Sequence, residues 1–293
     1  MGLKQIVYFK DQKPLLRQKD AKSNLLSKVY KSLGPKEGVA VSINPMAKGY
    51  ETDFASFDPE MDRVVEIYNS WGSSECTAKE GNTRPIKSSS KKGIQETESG
   101  SVIKALRSNK RFGFVAGGID DRGVYEKFSE AGQTKYSPGL TAILAADHTR
   151  ESLAAALQTR SCFATTGQRI ILGLHIAGAP IGSELSTKVK PGLAINRHIT
   201  GYVAGTTNLK EIALIRNGEV IKTFPTKSYF IDFAYDDMDA LGKVVLPGGE
   251  GKSAFVFYYL RVTQSDGNIA WSSPIWVDYP EFQGPAPKKG KSK

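Results

Sequence analysis

The stretch VVEIY at residues 64–68 is apolar except for Glu66 and has polar residues on both sides. A short apolar run of this kind is typical of a strand that is covered on both faces of a sheet. The chain contains further runs of this type at residues 5–9, 39–43, 112–116 and 140–145. The first half therefore contains about five predicted strands.

Helices are predicted between these strands at residues 23–33 and 101–109, and after the last of them at residues 149–159, where apolar residues recur at helical spacing. Thr149 stands where a residue that caps a helix start is expected. Strands separated by helices indicate parallel βαβ units, and about five strands are fewer than the eight of a closed barrel. We therefore predict an α/β fold over residues 1–167, with a flexible polar insertion at 87–101. The family resemblance given below implies that this α/β region is a partial β/α barrel.

The second half changes to a series of strands joined by turn residues. Asn217-Gly218 and Asp266-Gly267 are dipeptides that favour tight hairpin turns. Residues 168–279 are therefore predicted to form an antiparallel β-sandwich domain. Residues 280–293 are rich in Pro, Gly and Lys and are predicted to be a disordered basic tail.

Composition excludes several classes of protein. The 293-residue chain has 40% hydrophobic residues, which suffices for a core, and its two cysteines, Cys76 and Cys162, lie in no CxxC or Cys/His cluster. A disulfide scaffold and a structural zinc site are therefore excluded. The sequence shows neither a leader nor an apolar run of 18 residues, so we expect a cytoplasmic protein with no membrane association.

The formal net charge of +10 is concentrated at the two ends of the chain. Residues 1–48 contain ten Lys or Arg against three Asp or Glu, and the last six residues contain four lysines. Basic ends can hold nucleic acid, but scattered lysines more often form a solvated face. Nucleic acid is therefore disfavoured as a partner.

Candidate site residues follow the predicted parallel strands, because sites of βα folds lie at the carboxyl ends of those strands. Glu66 is a carboxylate inside an apolar strand, where it must be paired or bound to a metal. Asp120 and Asp121 follow the strand at 112–116 and could hold a cation. The alternatives are a lysine partner for Glu66 and ordinary turn chemistry for the two aspartates.

Four strings resemble one branch of the PHP superfamily, named for polymerase and histidinol phosphatase. They are VVEIYNSWGSSE (64–75), FGFVAGGIDDRG (112–123), residues 137–170 and YYLRVTQSDGNIAWSSPIWV (258–277). In this branch a metal-binding β/α barrel precedes a β-rich domain. The resemblance runs from about residue 5 to 279, and it implies descent from metal-dependent phosphoesterases that use Mn or Zn.

The sequence departs from the pattern of this branch at its metal ligands. The His-x-His motif of the first barrel strands is missing, Asn44 stands where a His-Pro motif has histidine, and Arg122 stands where an Asp-Asp-His motif has histidine. Glu66 and one of Asp120 and Asp121 remain as residual metal ligands. A guanidinium at about 4 Å from a divalent cation is repulsive by several kcal/mol, so Arg122 opposes metal binding.

The resemblance and its departures predict a degenerate PHP-type protein of hydrolase ancestry whose activity is lost. We assign no catalytic residue and expect no cofactor. The missing half of the barrel predicts association with a separately encoded N-terminal half-barrel or a homo-oligomer. One alternative is an active phosphoesterase whose missing ligands come from that partner, with divalent Mn or Zn. Another is a binding module that uses the β-sandwich.

Overall fold

The apolar segments of the chain form strands that pair into three sheets in the computed structural model, which describes residues 3–9, 29–31, 33, 37–119 and 132–282. In chain order the strands are β1 (Leu3–Tyr8), β2 (Gly38–Ile43), β3 (Val64–Asn69), β4 (Gly72–Ser73), β5 (Gly113–Ala116), β6 (Leu140–Ile143), β7 (Cys162–Thr165), β8 (Ile171–Ile176), β9 (Ala179–Pro180), β10 (Glu184–Ser186), β11 (Arg197–Ala204), β12 (Leu209–Arg216), β13 (Glu219–Phe224), β14 (Phe230–Asp237), β15 (Ala254–Gln264), β16 (Ile269–Ser272) and β17 (Ile275–Tyr279).

The helices whose bounds the structure describes are short. The α-helices among them are α1 (Val102–Arg107), α2 (Arg150–Gln158) and α3 (Leu241–Val244). Single 3-10 turns occur at Phe54–Ser56, Ala78–Glu80, Glu98–Gly100 and Pro191–Ala194. Within the described ranges no helix is both long and apolar enough to cross a membrane.

The first sheet holds the parallel strands of the protein's first half. Strands β2, β3 and β5 are parallel with β3 in the middle, while β1 is antiparallel to β2 and β4 is antiparallel to β3. Every residue of β3 is buried, as expected for a strand covered on both faces. Val64 of β3 packs in one cluster with Leu157 of α2 and Cys162 of β7. Val65 and Ile67 of β3 pack in another cluster, with residues of β15 and β16.

The second and third sheets are almost entirely antiparallel. The eight-stranded sheet has the order β10-β17-β15-β16-β7-β6, with β12 and β13 added beside β15, and only its β10–β17 pairing is parallel. The four-stranded sheet has the order β14-β11-β8-β9. The two sheets bury a shared core, in which Leu174 and Ile199 of the smaller sheet pack with Leu214 and Leu260 of the larger one. This core is the largest in the described residues.

Several local predictions are confirmed. Asn217-Gly218 joins β12 to β13 and Asp266-Gly267 joins β15 to β16, with positive φ at Asn217, Gly218 and Gly267. Helix α2 begins after Thr149, whose side chain accepts a hydrogen bond from the Ser152 backbone N–H. Residues 29–31 and 33 of the predicted 23–33 helix are helical, and its other residues lie outside the described ranges.

The predicted α/β fold, a partial β/α barrel, is wrong. The protein is mostly β-structure, and its described residues contain no β/α barrel. Residues 140–143 form β6, which pairs antiparallel with β7 in the eight-stranded sheet instead of extending the parallel sheet. The first strand also pairs antiparallel, along β2. Local apolar patterns indicate strands, but they do not determine which strands pair or in which direction.

Candidate functional site

The loops that follow the parallel strands meet at one edge of the first sheet. Strands β2, β3 and β5 end at Ile43, Asn69 and Ala116, so the residues after them share the carboxyl edge of the sheet. Glu66 lies inside β3, near this edge, with only 7% of its surface exposed. The structure therefore places the strongest sequence-predicted site residue at the edge where sites of parallel sheets lie.

Glu66 accepts hydrogen bonds through one of its two carboxylate oxygens. Its Oε2 accepts a hydrogen bond from the Asn44 backbone N–H at 3.1 Å and another from Asn69 Nδ2 at 2.8 Å. The same Asn69 Nδ2 also donates to Asn44 Oδ1. Asn44 adopts φ 52°, a left-handed conformation that asparagine tolerates better than most residues. We call these three residues the Asn44–Glu66–Asn69 network.

The orientation of the Asn69 side chain is fixed by a further hydrogen bond. The backbone N–H of Trp71 donates to Asn69 Oδ1 at 2.9 Å. Because that oxygen accepts from Trp71, the amide NH₂ group must be the end that faces Glu66 and Asn44. In this network the Asn44 backbone N–H and the Asn69 NH₂ group donate to Glu66 Oε2. The Asn69 NH₂ group also donates to Asn44 Oδ1.

The second carboxylate oxygen of Glu66 faces Gly117, the first residue after β5. A Cβ atom at Gly117 would lie 3.0 Å from Glu66 Oε1, so a glycine permits this close approach. No described residue donates a hydrogen bond to Oε1. Burial raises the pKa of Glu66 to about 7, against the opposing effect of the bonds from Asn69 and Asn44.

The structure brings Asn44 and Glu66 together, as two of the sequence-predicted site residues. The others, Asp120, Asp121 and Arg122, lie outside the described residues. Asn69 was missed by the sequence analysis. Residues 66 and 69 of a regular strand point to opposite faces, but β3 has a register irregularity against β5 between Glu66 and Tyr68. A bulge of this kind shifts the alternation of side chains, and it accounts for Asn69 reaching Glu66.

The PHP resemblance implies a divalent metal. Within the described part of the chain no three His, Cys, Asp or Glu side chains group in a way that could hold a metal ion. Glu66 Oε2 and Asn44 Oδ1 both accept hydrogen bonds from the Asn69 NH₂ group. A cation between them would have to displace that amide. The described residues alone therefore do not fit a metal site.

Glu75 and Cys76, which follow β4, are buried in the interior of the protein. Glu75 is buried and accepts hydrogen bonds from Tyr259 Oη at 2.6 Å, Trp271 Nε1 at 2.9 Å and Arg261 Nη1 at 3.1 Å. These hydrogen bonds hold the loop after β4, a strand of the first sheet, against β15 and β16. Burial raises the pKa of the Cys76 thiol to about 12 and that of the Cys162 thiol to about 12, which makes both poor nucleophiles.

Comparison with known proteins gives relatives without a described activity. A family described as "Protein of unknown function (DUF3604)" matches residues 90–190. The chain is 51% identical over 277 residues to an uncharacterised protein of Chlamydia pneumoniae and 47% identical to one of Chlamydia trachomatis. These alignments cover 94% of this chain and 44% of each relative, so the chain spans less than half the length of the curated relatives it matches.

One solved structure of an engineered protein aligns with 73% of this chain and 41% of its own length. Its sequence identity is 12% and its TM-score is 0.21, so the similarity carries no argument about this protein.

Proposed function

We propose that this protein is a degenerate relative of the PHP metallophosphoesterases, and that the Asn44–Glu66–Asn69 network is a hydrogen-bonded remnant of a metal site. In this proposal the chain acts by association with a partner chain or with a second copy of itself. The observation that carries the proposal is the Asn69 NH₂ group, which lies against both Glu66 Oε2 and Asn44 Oδ1.

The chemistry of the network supports a role without a metal. Metal ligands must present lone pairs, and an amide NH₂ group presents only hydrogens. The hydrogen bond from Trp71 N–H prevents Asn69 from turning its oxygen toward Glu66 without losing that bond.

Association is supported by the edge of the first sheet. Among the described strands only β2 pairs with β1, so the outer side of β1 has no described strand beside it. A strand at the edge of a sheet offers its backbone groups for pairing with another chain.

A second candidate function is favoured by Glu66 Oε1. This oxygen accepts no hydrogen bond from a described residue and lies beside Gly117 at the carboxyl edge. In this alternative, the protein is a metal-dependent phosphoesterase in which Glu66 supplies one ligand and a partner chain or segment supplies the others. The metal would polarise the phosphate ester and activate water.

Hydrolysis of bis(p-nitrophenyl) phosphate in the presence of Mn²⁺ or Zn²⁺ tests the proposal. We expect the wild type and Glu66→Ala to give the same background rate. A wild-type rate well above background that Glu66→Ala abolishes would overturn the proposal and support the phosphoesterase. Sedimentation velocity over a range of concentrations tests self-association, and a monomer at every concentration would restrict the account to a different partner chain.

A further inference from the structure

A cavity of about 480 Å³ opens at the end of the first sheet opposite to Glu66. Arg63 immediately precedes β3 and Arg111 lies two residues before β5, so both belong to the amino ends of the parallel strands. Six residues of β3 separate this end from the carboxyl edge by roughly 15–20 Å. The cavity is therefore a separate feature from the Asn44–Glu66–Asn69 network.

Cationic side chains outnumber acidic ones around this cavity. The cations that line it are Arg63, Lys110, Arg111, Arg160 and Lys252, and the acids are Glu60, Glu184 and Asp278. The lining therefore has a formal excess of two positive charges. An excess of this sign in a concave site attracts anions, because low-dielectric walls focus the field.

Two of the arginines that line the cavity are held in place by ion pairs. Arg111 donates to both oxygens of Asp278, to Glu184 and, through Nε, to Asn109. Arg160 donates to Glu184 at 2.6 Å and to the Gly182 carbonyl oxygen, and its guanidinium lies 5.0 Å from the ring centroid of Trp276. Glu184 thus bridges the two guanidinium groups, and neither side chain is free to move away.

Other donors around the cavity have no acidic partner among the residues that the structure describes. Arg160 Nη1 makes no hydrogen bond with a described residue, and no described carboxylate lies within 4.0 Å of Arg63, Lys110 or Lys252. Lys110 Nζ instead lies 5.6 Å from the ring centroid of Phe57. The pKa of Arg160 is lowered by its burial and by the positive charges of Arg63 and Arg111, against the effect of Glu184. The arginines thus repel one another where an anion would relieve the repulsion.

We propose that this cavity is a binding site for a small phosphate monoester. A phosphate monoester carries a charge of about −1.5 to −2 at pH 7, which matches the excess of the lining. Guanidinium and ammonium groups are the side chains that bind phosphoryl oxygens best. The volume lies within the roughly 300–1,000 Å³ range of small-molecule sites, so an organic group fits beside the phosphate, against Phe57 and Pro59.

Isothermal titration calorimetry of the full chain tests this site, with glycerol 3-phosphate and inorganic phosphate as probes at constant ionic strength. We expect one glycerol 3-phosphate per chain, bound more tightly than inorganic phosphate. Equal or tighter binding of inorganic phosphate would overturn the assignment to an ester. No heat change with either probe at millimolar concentration would overturn the site itself.

Matched charge variants locate the binding. Lys110→Ala combined with Lys252→Ala is expected to weaken glycerol 3-phosphate binding at least tenfold, whereas Lys79→Ala combined with Lys227→Ala, at exposed positions outside the lining, changes it less than twofold. Glu60→Gln removes a negative charge from the lining and is expected to tighten binding. Equal losses in both lysine pairs, or weaker binding by Glu60→Gln, would contradict the proposal.

Discussion

Asn69 donates a hydrogen bond from Nδ2 to Glu66 Oε2 over 2.8 Å, and the two residues belong to the same strand, three positions apart. The irregularity in the pairing of β3 with β5 accounts for this contact. The bond gives the buried carboxylate an amide partner where the PHP resemblance implies a metal.

The stability of the protein should fall as pH rises from about 4.5 to about 7. Glu66 has an ordinary pKa of 4.5 and a folded pKa of about 7, so in this window the folded state holds its proton more tightly than the unfolded state. The protonated Glu66 contributes about 3 kcal/mol to the free energy of unfolding below pH 4.5, and this contribution is lost above about pH 7. Urea unfolding between pH 4.5 and 8 measures it.

Glu66→Gln should remove this decline, because glutamine stays neutral and keeps an oxygen acceptor for Asn44 and Asn69. Glu250→Gln, at an exposed position, is the matched control and should retain the decline. If Glu66→Gln lost stability with pH as steeply as the wild type, the raised pKa of Glu66 would be refuted.

Asn69→Asp should create affinity for a divalent cation. The substitution replaces the NH₂ group that faces Glu66 Oε2 with an oxygen, and two carboxylates in contact bind cations or share a proton. We expect Mn²⁺ to bind at least tenfold more tightly than to the wild type in a calorimetric titration. Asn208→Asp, at an exposed position, should leave Mn²⁺ binding unchanged, and equal gains in both variants would argue against the role of Asn69.

Asp237 should be essential for stability, because it joins four strands of the two antiparallel sheets. Its carboxylate accepts from Tyr258 Oη at 2.7 Å and pairs with Arg216 at 2.8 Å and with the fully buried Arg197 at 2.9 Å. Asp237→Asn leaves Arg197 without its counter-ion and should cost about 3–5 kcal/mol in the free energy of unfolding. Its neighbour Asp236 is exposed, so Asp236→Asn should change stability little. Similar losses in the two variants would contradict this account.

Glu75→Ala should loosen the contact between the first sheet and the eight-stranded sheet. It removes the acceptor of Tyr259, Trp271 and Arg261, all of which lie in the eight-stranded sheet. We expect a loss on the order of 3 kcal/mol or more and a change in tryptophan fluorescence. Glu219→Ala, whose side chain is 81% exposed, is the control. An unchanged midpoint of unfolding in Glu75→Ala would refute the role of Glu75.

The sequence predicted much of the local structure and little of the pairing. Apolar runs located β2, β3 and β5, and the dipeptides at 217–218 and 266–267 located two hairpins. These signals are local. The antiparallel pairing of residues 140–143 with β7 depends on contacts between distant segments, which no local pattern encodes. That pairing is the reason the α/β barrel prediction failed.

The sequence also predicted only part of the candidate site. A carboxylate inside an apolar strand singled out Glu66, and its position before a strand end indicated the carboxyl edge. A lysine or a metal was expected as its partner, but the structure gives Asn69 and the Asn44 backbone. The strand irregularity that accounts for Asn69 has no distinctive residue such as glycine or proline at position 67. Strict alternation of side chains along β3 would place Asn69 on the face opposite to Glu66, so the sequence did not indicate Asn69 as its partner.

We propose that amide groups have taken the place of a cation at Glu66, and the metal content of the protein after dialysis against Mn²⁺ tests this claim. We predict less than stoichiometric Mn²⁺ in the wild type and no difference between the wild type and Glu66→Ala. One Mn²⁺ per wild-type chain that is lost in Glu66→Ala would contradict the claim and establish Glu66 as a metal ligand.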